Sequence, residues 1–178
     1  MNLANRITML RLALVPVFII IFEIYKTNTA LAAIVFSLTA MTDFLDGDIA
    51  RKWEIVTTFG KFMDPLVDKV LTQAGYIVLT GAGFIPSWTV IVIIFRELLI
   101  TGLRTLAASN NITIAASKLG KIKTISQFVA IIAFLLKDVL ALPSLFLNIL
   151  LYFSVLTTVI SGADYLNKNI KILDLDNI

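Results

Sequence analysis

The 178-residue chain contains no cysteine and no histidine. Disulfide scaffolds, thiolate-ligated zinc, iron–sulfur clusters and thiol nucleophiles are thereby excluded. Ser-His-Asp catalysis and imidazole-ligated metals are excluded as well. Proton transfer is left to carboxylate, lysine, tyrosine or water, and any metal must be a hard ion held by oxygen. Charge is scarce: Asp, Glu, Lys and Arg make up 15% of the chain, against about 25% in soluble domains. With 8 glycines and 4 prolines, collagen-like and low-complexity readings fail too. What remains is apolar, at 58% hydrophobic residues and a mean hydropathy of +0.93. A chain this rich in apolar surface does not stay unfolded in water, and a domain this small cannot hide all of it. The composition points to a membrane protein.

Six apolar segments stand out, near residues 10–25, 30–42, 70–80, 86–95, 124–136 and 144–160. Several fall short of the roughly 20 residues that a spanning helix needs. The predicted helices therefore run on into their polar flanks and carry charged residues at their ends, where such residues are functional suspects. Turn signals separate the segments: Lys26-Thr27-Asn28-Thr29, then Gly81-Ala82-Gly83 with Pro86, then Lys137-Asp138 with Pro143. No linker or internal repeat interrupts the pattern, so residues 1–178 are expected to form a single domain. With both termini on one side, every Lys and Arg except Lys26 and Lys137 falls on that side. This asymmetry orients the basic side to the cytoplasm. The expected fold is an all-α integral membrane protein with six transmembrane helices and cytoplasmic termini. The basic face suits anionic headgroups and anionic substrates rather than nucleic acid.

Five Asp residues lie between positions 43 and 68. Asp43 and Asp46 are spaced i,i+3, and Asp64 and Asp68 i,i+4, so each pair shares one helix face. The first pair ends the second segment and the second pair begins the third, which sets both at one membrane edge on consecutive helices. Carboxylates converging there repel one another strongly. Protonation or hydrogen bonding relieves that repulsion, but divalent cations do so more simply, and oxygen-only ligands suit Mg²⁺ or Mn²⁺. Two such ions can clamp a diphosphate and stabilise the attacking and leaving oxygens of a displacement. Gly47 and Ala50 keep the face open, Gly60 permits a close backbone approach, and Arg51 can reach a phosphate. Asp48 points about 140° away from Asp43, at 100° per residue, and is not counted as a ligand. One such pair alone would read as a solvated helix end facing Arg51, Lys52 and Lys69; two pairs in register, with small residues between, favour a site.

The cluster resembles the signature D-x2-D-G-x2-A-R-x8-G-x3-D-x3-D of the CDP-alcohol phosphotransferases, with Asp43, Asp46, Gly47, Ala50, Arg51, Gly60, Asp64 and Asp68 at the fixed positions. Further segments resemble the bacterial phosphatidylglycerophosphate synthase branch of that family. These are Asn2 to Arg11 (NLANRITMLR, with Ala4 where proline is usual), Phe95 to Arg104 (FRELLITGLR) and Ala115 to Thr124 (AASKLGKIKT). The likeness runs to about Tyr165. It implies a homodimer and a polar cavity facing the cytoplasm, in a multi-pass protein of the cell inner (cytoplasmic) membrane. It implies that Asp43, Asp46, Asp64 and Asp68 hold two divalent ions, Mg²⁺ or Mn²⁺, and that Asp68 is also the general base. Gly47, Ala50, Arg51 and Gly60, with Asn5, Thr8 and Thr57, would line the cytidine diphosphate site. The implied substrates are CDP-diacylglycerol and sn-glycerol 3-phosphate, giving phosphatidylglycerophosphate and CMP.

Arg96 and Arg104 lie about two helical turns apart at the cytoplasmic end of the fourth segment, and Lys121 begins the fifth at the same depth. A dianionic phosphate needs such a cluster, so these three are assigned to the acceptor phosphate. Lys52, Lys118 and Lys123 are expected to be snorkelling helix-end cations. Glu97 or Asp164 is an alternative partner for Arg96. Ser161-Gly162 is expected to allow close helix packing, and Trp53, Trp88 and the tyrosines to form interfacial belts. Two other readings are weighed: a different acceptor (inositol phosphate or phosphatidylglycerol), and a divalent-cation transporter. The transporter should carry acids near the midplane and polar gates on both sides, whereas these acids cluster at one edge.

Overall fold

The computed structural model describes residues 3–26, 28–53, 58–109, 114 and 117–169, with the side chains of residues 3–8 and 42–68 outside that description. Six helices account for nearly all of it: α1 (Leu3–Ile24), α2 (Ala30–Trp53), α3 (Thr58–Gly81), α4 (Ser87–Ser109), α5 (Lys118–Leu135) and α6 (Ser144–Asn169). There is no strand among the described residues. Each helix continues past its apolar segment into polar sequence, α2 from the apolar run to Trp53 and α4 to Ser109. A helix satisfies its own backbone hydrogen bonds whatever its side chains, which is why it persists across such a boundary.

The predicted turns lie where the helices break, and local chemistry explains each. Asn28 Oδ1 accepts the Ala30 N–H at 3.2 Å and opens α2. At the end of α3, Phe84 N–H reaches the Leu79 carbonyl and Gly83 N–H the Thr80 carbonyl, both at 2.9 Å. Gly83 sits at φ 75°, the left-handed conformation that this cap requires. Pro86 precedes α4, and its carbonyl accepts from Thr89 Oγ1 at 2.7 Å. Ser117 Oγ accepts the Gly120 N–H at 3.0 Å and caps α5.

By contacts the chain divides into two compact units, one of Met1–Ile85 with Ile131–Pro143, the other of Pro86–Ala130 with Ser144–Ile178. In the first, α1 packs on α2 and α3, and α2 packs on α3. Phe18, Phe22 and Phe36 are fully buried, and Phe18 lies 5.4 Å from Phe36 between ring centroids. Phe22 meets Phe84 edge-on, Lys137 sits over the Phe84 ring, and Thr29 Oγ1 donates to the Leu135 carbonyl. These contacts gather the α1–α2 turn, the end of α3 and the end of α5 at one end of the unit. The later half of α2 and the earlier half of α3 run away from that end. In the second unit, α4 packs on α6. Gln127 Nε2 donates to Thr158 Oγ1 at 2.9 Å, and the hydroxyls of Ser126 and Thr157 meet at 2.8 Å, joining α5 to α6 through a buried polar seam.

Large apolar side chains also cover the outside. Val17, Ile20 and Ile24 on α1, Leu31, Ile34, Leu38 and Met41 on α2, and Leu145, Ile149, Leu156 and Ile160 on α6 are all exposed. Their three- and four-residue spacing makes continuous stripes, far beyond the isolated exposed residues of a water-soluble surface. Among the described residues, α6 is long and apolar enough to cross a membrane. Trp88 and Tyr152 are exposed and stacked 6.1 Å apart. Tyr76 and Tyr165 are buried instead, so the expectation of interfacial placement fails for those two.

Candidate functional site

The backbone places Asp43, Asp46, Gly47, Ala50 and Arg51 on the later half of α2, and Gly60, Asp64 and Asp68 on the earlier half of α3. Asn5 and Thr8 lie in the first two turns of α1. These three helices belong to one compact unit and pack pairwise. The two acidic pairs thus occupy consecutive helices, within the halves that run away from the Phe22–Phe84 end. The side chains of all these residues, and Thr57 entirely, lie outside the described residues.

The second unit carries the basic residues, and here the side chains are described. Arg96 is half-buried on α4 and commits both terminal nitrogens. Nη1 donates to Glu97 Oε1 at 3.1 Å and Nη2 to Ser161 Oγ on α6 at 3.1 Å. Its Nε is buried with no partner among the described residues. Gly162 makes room for this side chain, since a Cβ there would meet Arg96 Cγ at 3.0 Å. Ser161-Gly162 therefore does permit a close approach, and the group that approaches is an arginine. Asp164 pairs with Lys168 one turn on, at 2.8 Å, and is not the partner of Arg96.

Lys123 departs from expectation. It is buried, and its Nζ lies 2.5 Å from the buried Glu97 Oε1. It is not a snorkelling helix-end cation: the acid inside α4 draws it inward, because a carboxylate in apolar surroundings must be paired. The signal available in the sequence was Glu97 itself, an acid followed by Leu-Leu-Ile in a largely apolar helix. Glu97 thus accepts from two cations, and the Arg96–Glu97–Lys123 group joins α4 to α5 and α6 with one positive charge in excess.

Arg104 lies two turns beyond Glu97 on α4 and is exposed. Its Nε donates to the Tyr165 hydroxyl at 3.0 Å, and its guanidinium carbon lies 5.8 Å from the centre of that ring. Tyr165 is buried with Ile100 and Leu103, so the anchor is rigid. The terminal amino groups of Arg104 are left for another partner. Lys121, in the first turn of α5, is exposed. Arg104 and Lys121 are thus accessible cations, whereas Arg96 contributes charge from within a bonded group.

Comparison with known proteins agrees with this layout. Residues 1–160 match the family described as CDP-alcohol phosphatidyltransferase. A CDP-diacylglycerol–glycerol-3-phosphate 3-phosphatidyltransferase of Bacillus subtilis (strain 168) is 41% identical, covering 99% of each chain. One of the same name from Rickettsia typhi is 34% identical, over 92% of this chain and 94% of the relative. A probable phosphatidylglycerophosphate synthase of Mycobacterium tuberculosis (strain H37Rv) is 37% identical, over 96% of this chain and 82% of the relative. With acidic pairs on two packed helices and a family match that spans five of its six helices whole, this chain belongs to the CDP-alcohol phosphatidyltransferase family.

Proposed function

We propose that the protein transfers the phosphatidyl group of CDP-diacylglycerol to sn-glycerol 3-phosphate, releasing CMP and forming phosphatidylglycerophosphate for anionic phospholipid synthesis. The observation that carries this reading is the eight-position acidic signature lying on α2 and α3, in a chain whose relatives bear that enzyme's name over nearly their full length.

The donor set fits a hard metal. Four carboxylates are available on α2 and α3, and the chain offers neither His nor Cys to attract softer ions. Asp43, Asp46, Asp64 and Asp68 would hold two divalent ions, Mg²⁺ or Mn²⁺, which when bound supply positive charge to the diphosphate. Gly47, Ala50 and Gly60 leave room for the cytidine, Arg51 binds its phosphate, and Asn5, Thr8 and Thr57 offer hydrogen bonds to the nucleotide. Asp68 takes the proton of the acceptor's 1-hydroxyl as that oxygen bonds to the lipid-bearing phosphorus. The bond from that phosphorus to the CMP oxygen breaks, and CMP leaves. Arg104 and Lys121 bind the acceptor phosphate directly, and Arg96 adds its field. A phosphorylated acceptor fits these cations better than phosphatidylglycerol does.

The exposed apolar stripes fit a multi-pass arrangement of six helices in the cell's inner membrane. In this arrangement the termini and a polar active-site cavity face the cytoplasm, where the water-soluble acceptor is found. The diacyl tails remain in the bilayer, and two copies of the chain form a homodimer.

An acceptor panel tests the reading. Purified protein in detergent receives CDP-diacylglycerol and Mg²⁺, with sn-glycerol 3-phosphate, inositol phosphate or phosphatidylglycerol, and CMP release is measured. Release with sn-glycerol 3-phosphate that EDTA abolishes is expected. Release with another acceptor alone overturns the acceptor assignment, and metal flux into liposomes without CMP release would turn the reading to transport.

A further inference from the structure

We propose that Glu97 and Lys123 are positioning residues for the acceptor phosphate: their buried ion pair holds α4 against α5 so that Arg104 and Lys121 present a single anion receptor. The inference rests on the acceptor assignment above and deepens it.

The argument starts from register. Glu97 and Arg104 are seven residues apart on α4, two turns, and so lie on nearly the same face. Lys123 follows Lys121 by two residues on α5. The Lys123 Nζ–Glu97 Oε1 contact of 2.5 Å is therefore the described tie between the helix that carries Arg104 and the helix that carries Lys121. Both side chains are over nine-tenths buried, at 9% and 8% exposure. A tie made in such surroundings is strong and poorly screened by salt, because little water competes for either charge.

The pair also orders what lies on its far side. Glu97 Oε1 holds Arg96 Nη1, and Arg96 Nη2 reaches Ser161 on α6. The next turns of α4 and α6 bring Arg104 onto Tyr165. One carboxylate thus fixes three helices around the place where two exposed cations emerge. Arg104 is held by its Nε and ring contact, which leaves its terminal fork directed to a ligand; a planar fork suits phosphate oxygens. The separation between that fork and the Lys121 ammonium is set by the α4–α5 tie. A displacement of about 1 Å in such a pair is enough to weaken the binding of a substrate markedly.

A purely structural ion pair predicts something different, namely loss of folded protein with unchanged substrate constants in whatever remains. The test therefore reads binding and kinetics on folded enzyme. Lys123→Met is the mild variant, because Glu97 keeps Arg96 as its counter-ion. Lys123→Arg is the conservative control, and Glu97→Gln the severe variant. For Lys123→Met the expected result is a KM for sn-glycerol 3-phosphate raised about tenfold. Its KM for CDP-diacylglycerol and its kcat at saturating acceptor should stay near the parent values, with Lys123→Arg restoring most of the loss. In parallel, thermal stabilisation by inorganic phosphate is titrated on each variant, which needs no acceptor chemistry. The phosphate midpoint should shift in step with KM. An unchanged acceptor KM and phosphate midpoint in folded Lys123→Met would overturn the proposal, as would equal losses for both substrates. A parent enzyme that ignores sn-glycerol 3-phosphate yet responds to phosphate, with that response weakened in Lys123→Met, would sink the acceptor assignment and keep the positioning role.

Discussion

Glu97 is shared by two cations, and that sharing predicts an order of stabilities that an isolated ion pair would not. Lys123→Met removes one donor but leaves the Glu97–Arg96 contact of 3.1 Å in place. The loss is one charge-assisted hydrogen bond, about 1.5–3 kcal/mol. It is partly offset because methionine fills the lysine volume without burying a charge. A net cost of about 1–2 kcal/mol follows. Glu97→Gln instead leaves Arg96 and Lys123 as like charges around a neutral amide, in a site where all three side chains are 12% exposed or less. Breaking a buried pair in that way costs about 3–5 kcal/mol. For a chain of this length each kcal/mol moves the melting temperature by about 2–4 °C. Lys123→Met should then fall by roughly 2–8 °C and Glu97→Gln by roughly 6–20 °C. The double variant should recover part of the Glu97→Gln loss, because it removes the repelling cation. Thermal unfolding of purified protein in one detergent, followed by tryptophan fluorescence, measures all three. A larger fall for Lys123→Met than for Glu97→Gln, or no recovery in the double variant, would refute the shared-acceptor reasoning.

Other perturbations follow from close approaches and backbone geometry. Gly162→Val should displace Arg96 from Ser161, because a Cβ there already meets Arg96 Cγ at 3.0 Å; a stability loss of about 1–3 kcal/mol is expected in the same melt. Gly75→Val should cost a similar amount, about 1–3 kcal/mol, since a Cβ at that site lies 3.1 Å from both Ile131 and Phe36 side-chain atoms. Ala141 holds a left-handed backbone at φ 47°, so Ala141→Gly should stabilise by roughly 0.5–1 kcal/mol, and a lower melting temperature would contradict that strain.

Much of this architecture was legible in the sequence because turn chemistry is local. Asn28, Gly83, Pro86 and Ser117 each act on a backbone group within a few residues, and each marks a helix end. Helix lengths were legible less directly. The apolar segments stop well before Trp53 and Ser109, and only the demand for a full-length span carries the helices onward. The acidic pairs could be assigned to consecutive helices for the same local reason. The Glu97–Lys123 pair could not, since 26 residues and two helices separate its members. Lys123 near the start of a helix looks like an interfacial cation until the carboxylate facing it is known. Tyr76 and Tyr165 were misplaced likewise: a tyrosine suits either an interface or a buried hydrogen-bonded position, and Tyr165 takes the second because Arg104 supplies its partner.

The central claim is that Asp68 and its three neighbouring carboxylates run a phosphatidyl transfer to sn-glycerol 3-phosphate. It is tested most directly by following ¹⁴C-labelled sn-glycerol 3-phosphate into lipid extract. Parent enzyme and Asp68→Asn are compared in detergent with CDP-diacylglycerol and Mg²⁺. The account predicts label entering lipid in step with CMP release in the parent, and a rate lower by at least about 10²-fold in an Asp68→Asn protein of unchanged melting temperature. Label that stays in the aqueous phase with folded, metal-loaded parent enzyme, or parent-like transfer by Asp68→Asn, would contradict it.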